Sequence, residues 1–329
     1  MAKKQQIPHC SNKNSLYIYP DINGITMKAA IHVYQRSNDW GVIFYTLQDY
    51  LVYFTLFSVF ARRCAITVLA LAIMFNHLHY LVSAEKRKEI ERFVSIVTAR
   101  FARLYNEDIG LTGHVFHKEF GSAVKYGDKN IRTIAGYIYN NHTNKKLCNR
   151  AEEIRWNFLA YSHCTHPFSE PIIKTQTRKE LKKALAIVDY YRRKNDYLNY
   201  SSLRRIYSGL NKKEKEQVTD YIISSYNCID YSKLEGLYRS YDEMVYSFNA
   251  NTFSEFDIEE NKEEREGDDR VYIELARQIL SYGKYHSVKE VLKLSDDDKI
   301  RLAVDLQAKT GVSLKSIGSY LHIEFRLTH

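Results

Sequence analysis

The chain reads as an α+β protein in which an antiparallel sheet carrying helices is followed by a mainly helical C-terminal region. Three observations predict this. Residues 24–160 alternate strand-like and helical stretches, residues 178–246 hold a helical pattern rich in Lys and Arg, and an acidic stretch then precedes a last helical unit starting at Arg270. With 329 residues, 45% of them hydrophobic, there is material for one large domain or two ordinary ones.

In chain order, residues 1–23 read as a loosely ordered leader. Ile25–Tyr34 and Val42–Tyr45 read as strands joined through the turn-rich Ser37–Gly41. Thr46–Arg63 reads as a helix with Thr46 as its N-cap. Its twelve-residue apolar run, Tyr50–Ala61, ends at Arg62-Arg63. That is too short to cross about 30 Å of hydrocarbon, so a buried helix and no membrane partner are expected. Ala65–Met74 and His77–Ser83 read as strands about a tight turn at Phe75-Asn76. Lys88–Tyr105 places Ile90, Phe93, Val94, Val97, Phe101 and Leu104 at helical spacing. Gly113–Val124 reads as a short extended or irregular piece and Asn130–Lys146 as a helix. The order β-β-α-β-β-α-(β)-α suits an antiparallel sheet with helices packed on one face.

Pro167 and Pro171 mark a boundary, so the chain divides into a domain at 24–160, a basic helical region at 161–254, an acidic linker at 255–269 and a helical unit at 270–329. In that last unit, Asp298–Lys309 and Ser313–Leu321 flank Thr310-Gly311-Val312. These are helix-turn-helix dimensions, with Ser313 as a cap and Lys315, Ser316 and Ser319 available to a major groove. An ordinary helical hairpin is the competing reading.

The formal net charge is +9. Lys174–Lys215 holds thirteen basic against four acidic residues, whereas Glu255–Asp269 holds nine acidic against two basic. The basic block is interleaved with Tyr190, Tyr191, Tyr197, Tyr200 and Tyr207, which suits phosphate contacts and stacking platforms. A solvated helix face with tyrosines packed beneath it fits equally well. Five cysteines without a C-x-x-C pair, and an N-terminus without an apolar core, point to a reducing cytoplasm.

Two short segments carry chemistry. His77 and His79 lie two apart on a strand and therefore share a face, with Leu78 directed into the core. Two imidazoles so placed are half of a metal site; the alternative is a polar pair on a solvated face. Tyr137 and Asn141, four apart on a helix, project together, while Tyr139 points to the opposite side. If that helix packs beside the histidine strand, Asn141 completes a three-ligand site and Tyr137 stands next to the metal. Two nitrogens and an amide oxygen suit Mn²⁺, with Mg²⁺ acceptable. The metal would polarise a phosphodiester, and the tyrosine oxygen would attack phosphorus.

Here the residues carry a resemblance. Met74-Phe75-Asn76-His77-Leu78-His79-Tyr80-Leu81-Val82 resembles the M-P-N-H-x-H-x-L-x signature of single-tyrosine HUH transposases, especially the REP-associated tyrosine transposases of the IS200-like superfamily. His32-Val33-Tyr34-Gln35-Arg36 through Ile43-Phe44 is similar to the family's H-V-x-x-R…I-F, and Arg100–Asn106 with Gly113–Phe120 to its R-x-x-x-x-x-N…G-x-V-F-x-x-x-F. Tyr137–His142 resembles Y-I-x-x-N-P, and Glu153–Phe158 the close of the domain. Phe75 and His142 stand where the family has proline, and Asn144–Leu147 replaces R-A-G-L. No catalytic group is removed, but the helix can run on past Asn141.

The resemblance covers residues 25–160 and implies a ferredoxin-like HUH endonuclease domain. It implies a metal-dependent tyrosine transposase that binds single-stranded or hairpin DNA and cuts it with Tyr137, leaving a 5′-phosphotyrosine link and a 3′-hydroxyl. His77, His79 and Asn141 would hold Mg²⁺ or Mn²⁺. Arg36, Arg100, Arg103 and Lys118 are the basic side chains expected at DNA phosphates. Whether the Tyr137 helix serves its own subunit or, in a homodimer, its partner's is open. Two other readings stand beside this one. One is a non-cutting DNA-binding regulator derived from such an enzyme. The other is a replication-initiator or relaxase-type nickase, although no phosphate-binding G-x-x-x-x-G-K-[ST] loop is present.

Overall fold

The structure, a computed structural model, describes residues 29–39, 41–250 and 268–325. The expected leader and residues 255–267 of the acidic linker lie outside the described residues.

The first part of the chain runs β1 (Ala29–Arg36), α1 (Leu47–Arg63), β2 (Thr67–Ile73), β3 (His77–Ser83), α2 (Arg87–Ile109), β4 (Gly121–Tyr126) and α3 (Gly127–Asn144). The four strands form one sheet in the order β2-β3-β1-β4, with every neighbouring pair antiparallel. A βαββαβ unit with that strand order is ferredoxin-like, as the resemblance implies.

Local chemistry accounts for the elements. Thr46 caps α1 through a capping box with Asp49. Nearly all of α1 is buried, because it lies between the sheet and later helices and must be apolar all round. Gly110, at φ 67°, ends α2 in the left-handed conformation that glycine adopts without strain.

Three expectations are corrected. Val42–Tyr45 forms no strand: the N–H groups of Ile43 and Phe44 both donate to the Phe75 carbonyl, and that of Val42 to the Ser319 carbonyl, so the segment meets a turn and a helix instead of a ladder. Of the stretch 113–124 only its end is a strand, β4, which starts at Gly121 and runs on to Tyr126, while the residues before it are irregular. Helices cover both faces of the sheet, not one. Val33, Leu71, Leu78, Tyr80 and Val82 share a core with α1 and α2. On the other face Ala30, Ala70, Ala72 and Leu81 pack against Ile131, Ile134 and Ile138 of α3. The three alanines keep that face shallow, so a helix can lie close to it.

The helical region continues with α4 (Lys179–Arg193), α5 (Tyr200–Tyr207), α6 (Lys212–Tyr226), α7 (Tyr231–Glu235) and α8 (Tyr241–Ala250). Leu181, Val188, Leu203, Ile206, Val218 and Ile222 join the same core as the sheet, so α4–α6 form a layer behind α1. Of the five tyrosines in the basic block, Tyr200 and Tyr207 are buried, Tyr191 and Tyr197 half-buried, and Tyr190 is 52% exposed. Most of these rings are packed beneath the helices, and Tyr190 is the exposed one of the five.

The last unit holds α9 (Arg270–Ser281), α10 (Asp296–Thr310) and α11 (Leu314–Leu321) around Leu275, Ile279, Leu302, Leu306 and Ile317. Gly311 at φ 69° turns the chain between α10 and α11, and Ser313 caps α11 by accepting from the Ser316 N–H. The unit docks on segment 41–45: Val42 belongs to its core, and the Tyr45 hydroxyl donates to the Tyr320 carbonyl.

One buried charge cluster ties these parts together. Lys289 Nζ lies 2.7 Å from Asp49 Oδ1 and 3.1 Å from Asp108 Oδ2, and 4.1 Å from the centre of the Tyr105 ring. The Tyr200 hydroxyl donates to Asp49 at 2.7 Å. Replacing Lys289 by Met leaves the buried Asp49 without its counter-charge, while Asp108 keeps Arg204 at 2.6 Å, and the expected loss is about 3–5 kcal/mol in urea unfolding. A loss below about 1 kcal/mol would mean that the cluster is solvated.

Asp269, at the start of α9, is buried. Burial pushes its carboxyl up to about 6, with Lys145 opposing and Asp268 reinforcing the rise. A carboxyl that holds its proton more tightly when folded contributes most below its ordinary value near 4, and that contribution is lost as pH rises through about 6. Asp269→Asn should therefore raise the melting temperature at pH 7.5, by the equivalent of up to about 3 kcal/mol, and have little effect below about pH 4. Melting curves across this range check the sign.

Candidate active site

The pairing of β1 with β3 builds the site. His77 lies opposite Arg36, His79 opposite Tyr34, and Leu81 opposite His32. Paired residues point to the same side of a sheet, so His32, Tyr34, Arg36, His77 and His79 share the face covered by α3. The two expected ligands are thus brought together, their ring centres 5.1 Å apart and nearly perpendicular. They do not face solvent, since His77 and His79 are only 4% and 1% exposed beneath the helix. The turn before His77 is held tightly, with the Met74 N–H donating to the His77 carbonyl at 2.9 Å.

Both imidazoles are oriented from behind. His79 Nδ1 is 3.0 Å from His32 Nε2, and these two rings stack with centres 5.2 Å apart. His77 Nδ1 is 2.7 Å from Asn76 Oδ1. With each Nδ1 engaged in this way, Nε2 is the nitrogen that a metal would take, which is how ligating histidines are commonly fixed. Tyr34 packs against both rings, at 5.0 Å from His79 and 5.7 Å from His77.

On α3, Tyr137 sets its ring edge-on to His79 at 5.3 Å and to His32 at 6.0 Å. Asn141, one turn on, is buried, and its Nδ2 has no hydrogen-bond partner among the described residues. Tyr139 turns the other way, as its spacing predicts. Its hydroxyl donates to the Leu69 carbonyl at 3.2 Å, and its ring stacks on Phe248 of α8. Among the described residues no group of three or more His, Cys, Asp or Glu side chains is placed to hold a metal. The donors expected for a divalent ion, two imidazoles and the Asn141 carboxamide, are all buried side chains of the sheet face and of the helix that covers it.

The two departures from the family pattern both make contacts. Phe75 packs on Tyr272 of α9, with ring centres 5.3 Å apart. His142 Nε2 is 3.1 Å from the Ile73 carbonyl and tethers α3, which runs on to Asn144, to β2. Burial lowers the His142 imidazole to about 4; the Ile73 bond opposes this and the nearby His79 adds to it, so the ring is neutral at pH 7.

The side chains expected at DNA do not form one surface. Arg36 lies opposite His77 on the site's own face. Arg100 and Arg103 are exposed on α2, beyond the other face of the sheet, where Arg100 lies over Phe60 and Arg103 pairs with Glu107 at 3.8 Å. Lys118 is exposed in the loop before β4. On α11, Lys315 is exposed and Ser316 half-buried, while the half-buried Ser319 has its hydroxyl 3.5 Å from the Tyr272 hydroxyl. His32 and Tyr34 are the site residues that sequence reasoning missed. The signal was present in the period-two spacing of His32, Tyr34 and Arg36, but only the strand register shows what they face.

Residues 31–141 match the family model described as "Transposase IS200 like". This segment resembles an IS200-like transposase domain. The match begins in β1 and ends at Asn141, so it takes in the whole sheet, both histidines and Tyr137. A solved structure of a REP-associated tyrosine transposase bound to a REP hairpin is similar over 47% of this chain and 93% of that one, at 13% identity and a TM-score of 0.32. No curated protein matches the chain. The helices beyond α3 lie outside the matched segment, and among the described residues no helix is long and apolar enough to cross a membrane.

The tether from α3 to β2 can be tested directly. His142→Ala leaves the Ile73 carbonyl short of a donor, with an expected loss of about 1–3 kcal/mol in denaturant unfolding. An unchanged unfolding midpoint would show that the bond contributes nothing.

Proposed function

We propose that this transposase cleaves and rejoins single-stranded DNA through a covalent bond to Tyr137, at sites flanked by hairpins. The observation that carries this reading is the edge-on placement of Tyr137 against His79, with Asn141 one turn away on the same buried side of α3. In the cut, the Tyr137 oxygen bonds to phosphorus and loses its proton, while the bond from phosphorus to the 3′-oxygen breaks. The products are a 5′-phosphotyrosine link and a 3′-hydroxyl, and attack by a 3′-hydroxyl on that link reverses the step and rejoins a strand.

His77 and His79 through Nε2, and Asn141 through its amide oxygen, would hold Mg²⁺ or Mn²⁺. Such an ion supplies charge stabilisation at the phosphodiester oxygens. The chain's own residues do the rest: His32 and Asn76 orient the two imidazoles, and Arg36, across from His77, supplies a cation for the DNA backbone. Because Tyr137, His77 and His79 are nearly inaccessible, a phosphate reaches them only when α3 lifts from the sheet. The proposed setting is the cytoplasm, on nucleoid DNA.

A covalent-adduct experiment tests this. Labelled single strands from the flanks of the gene, hairpins included, are incubated with wild type and Tyr137→Phe, with Mg²⁺, with Mn²⁺ and with chelator. The expected result is a denaturant-stable protein–DNA band only with wild type and metal. Binding without an adduct would favour the non-cutting regulator. An adduct that survives in Tyr137→Phe would move the nucleophile elsewhere.

A further inference from the structure

On the opposite face of the sheet, at the end where β1 stops and β3 starts, lies a cleft of about 300 Å³. Gln35 lines it, with Thr98, Ala99 and Ala102 of α2 on one wall and His117 and Phe120 of the loop before β4 on the other. Gln35 is only 3% exposed. Its Nε2 donates to Thr98 Oγ1 at 2.8 Å, which sets the amide plane, and its Oε1 has no hydrogen-bond partner among the described residues. A buried carbonyl oxygen is ordinarily paired. The residue that carries this one, Gln35, lines a cleft between the small side chains of α2 and an aromatic loop, at a depth where Oε1 itself is closed to solvent.

The position matters as much as the chemistry. Gln35 lies opposite Leu78, between the two histidines in the register, and the next residue, Arg36, lies opposite His77. The loop is held to this end of β1, because the His117 N–H donates to the Arg36 carbonyl at 3.0 Å. Gln35 and Arg36 are adjacent on β1 and pair with Leu78 and His77, so the cleft and the first histidine lie at the same end of the sheet, on its two faces.

We propose that this cleft is a subsite for one unpaired base of the DNA strand. In it, Gln35 Oε1 accepts a hydrogen bond from an exocyclic amine and His117 and Phe120 offer ring faces. Adenine, cytosine and guanine carry such an amine and thymine does not, so the subsite selects against thymine at one position beside the cut. The proposal rests on the DNA-cleaving reading of the site on the other face.

The test is single-strand binding by the full chain. Fluorescence anisotropy is measured on a set of oligonucleotides in which each position in turn is thymine or abasic. For wild type, one position should stand out, with binding weakened about tenfold or more when its base is thymine or missing. Gln35→Leu should erase the thymine discrimination at that position and leave the other positions alone. Ala102→Phe fills the cleft from a half-exposed helix position without altering Gln35, and should erase the same preference; it keeps the test valid if Gln35→Leu does not fold. Wild-type preferences at every position in a folded variant would overturn the subsite. A Tyr137 adduct with no position-specific preference would overturn the subsite and leave the cleavage reading standing. A Gln35-dependent preference with no adduct under any metal would do the reverse, and failure of wild type to bind any single strand would overturn both.

Discussion

The antiparallel register of β1 against β3 is the constraint on which the rest depends. Side chains alternate along a strand, so a slip of one residue would carry every group to the other face. Val33, Leu78, Tyr80 and Val82 have to enter the core under α1 and α2, and this hydrophobic demand fixes the register. The polar consequence follows without further cost: His32, Tyr34 and Arg36 are set against His77 and His79. The imidazole pair is thus positioned by apolar burial on the reverse side of the same strands.

The helix carrying Tyr137 is held to that face by several independent contacts. The alanines of β1 and β2 let it approach, Tyr139 bonds back to β2, and His142 fixes its far end to the Ile73 carbonyl. The last helical unit reaches both halves of the site as well. Phe75, in the turn before His77, packs on Tyr272, and the Asp269 N–H donates to the Lys145 carbonyl just past α3 at 3.2 Å. The residues that stand in place of the two family prolines are therefore points of attachment, one to β2 and one to a part of the chain outside the family match.

The charge balance divides in a similar way. The acid–base cluster of Asp49, Asp108 and Lys289 is buried and joins three regions of the chain, so it belongs to the fold. Most of the tyrosines in the basic block also belong to the fold, being packed under α4–α6. The +9 net charge is consistent with an electrostatic attraction to DNA, but the exposed cations are spread over several faces, with Arg36 alone among the four expected phosphate contacts lying on the face of the site.

What the sequence determined by itself is local. Thr46 and Asp49 cap a helix, the two-residue spacing of His77 and His79 places them on one face, and the four-residue spacing of Tyr137 and Asn141 stacks them on one side of a helix. These follow from backbone periodicity and need no knowledge of neighbours. The family resemblance rests on the same motifs, and the matched segment agrees with it. The tertiary structure alone decided that Val42–Tyr45 serves a docked helix instead of a ladder, that helices cover both faces, and that the imidazoles lie buried. It also decided that His32 supports His79 across 47 residues of chain and that Gln35 lines a cleft on the reverse face. The physical reason is that strand order, register and burial are set by contacts between segments distant in the chain, whose energies depend on partners that local periodicity does not name.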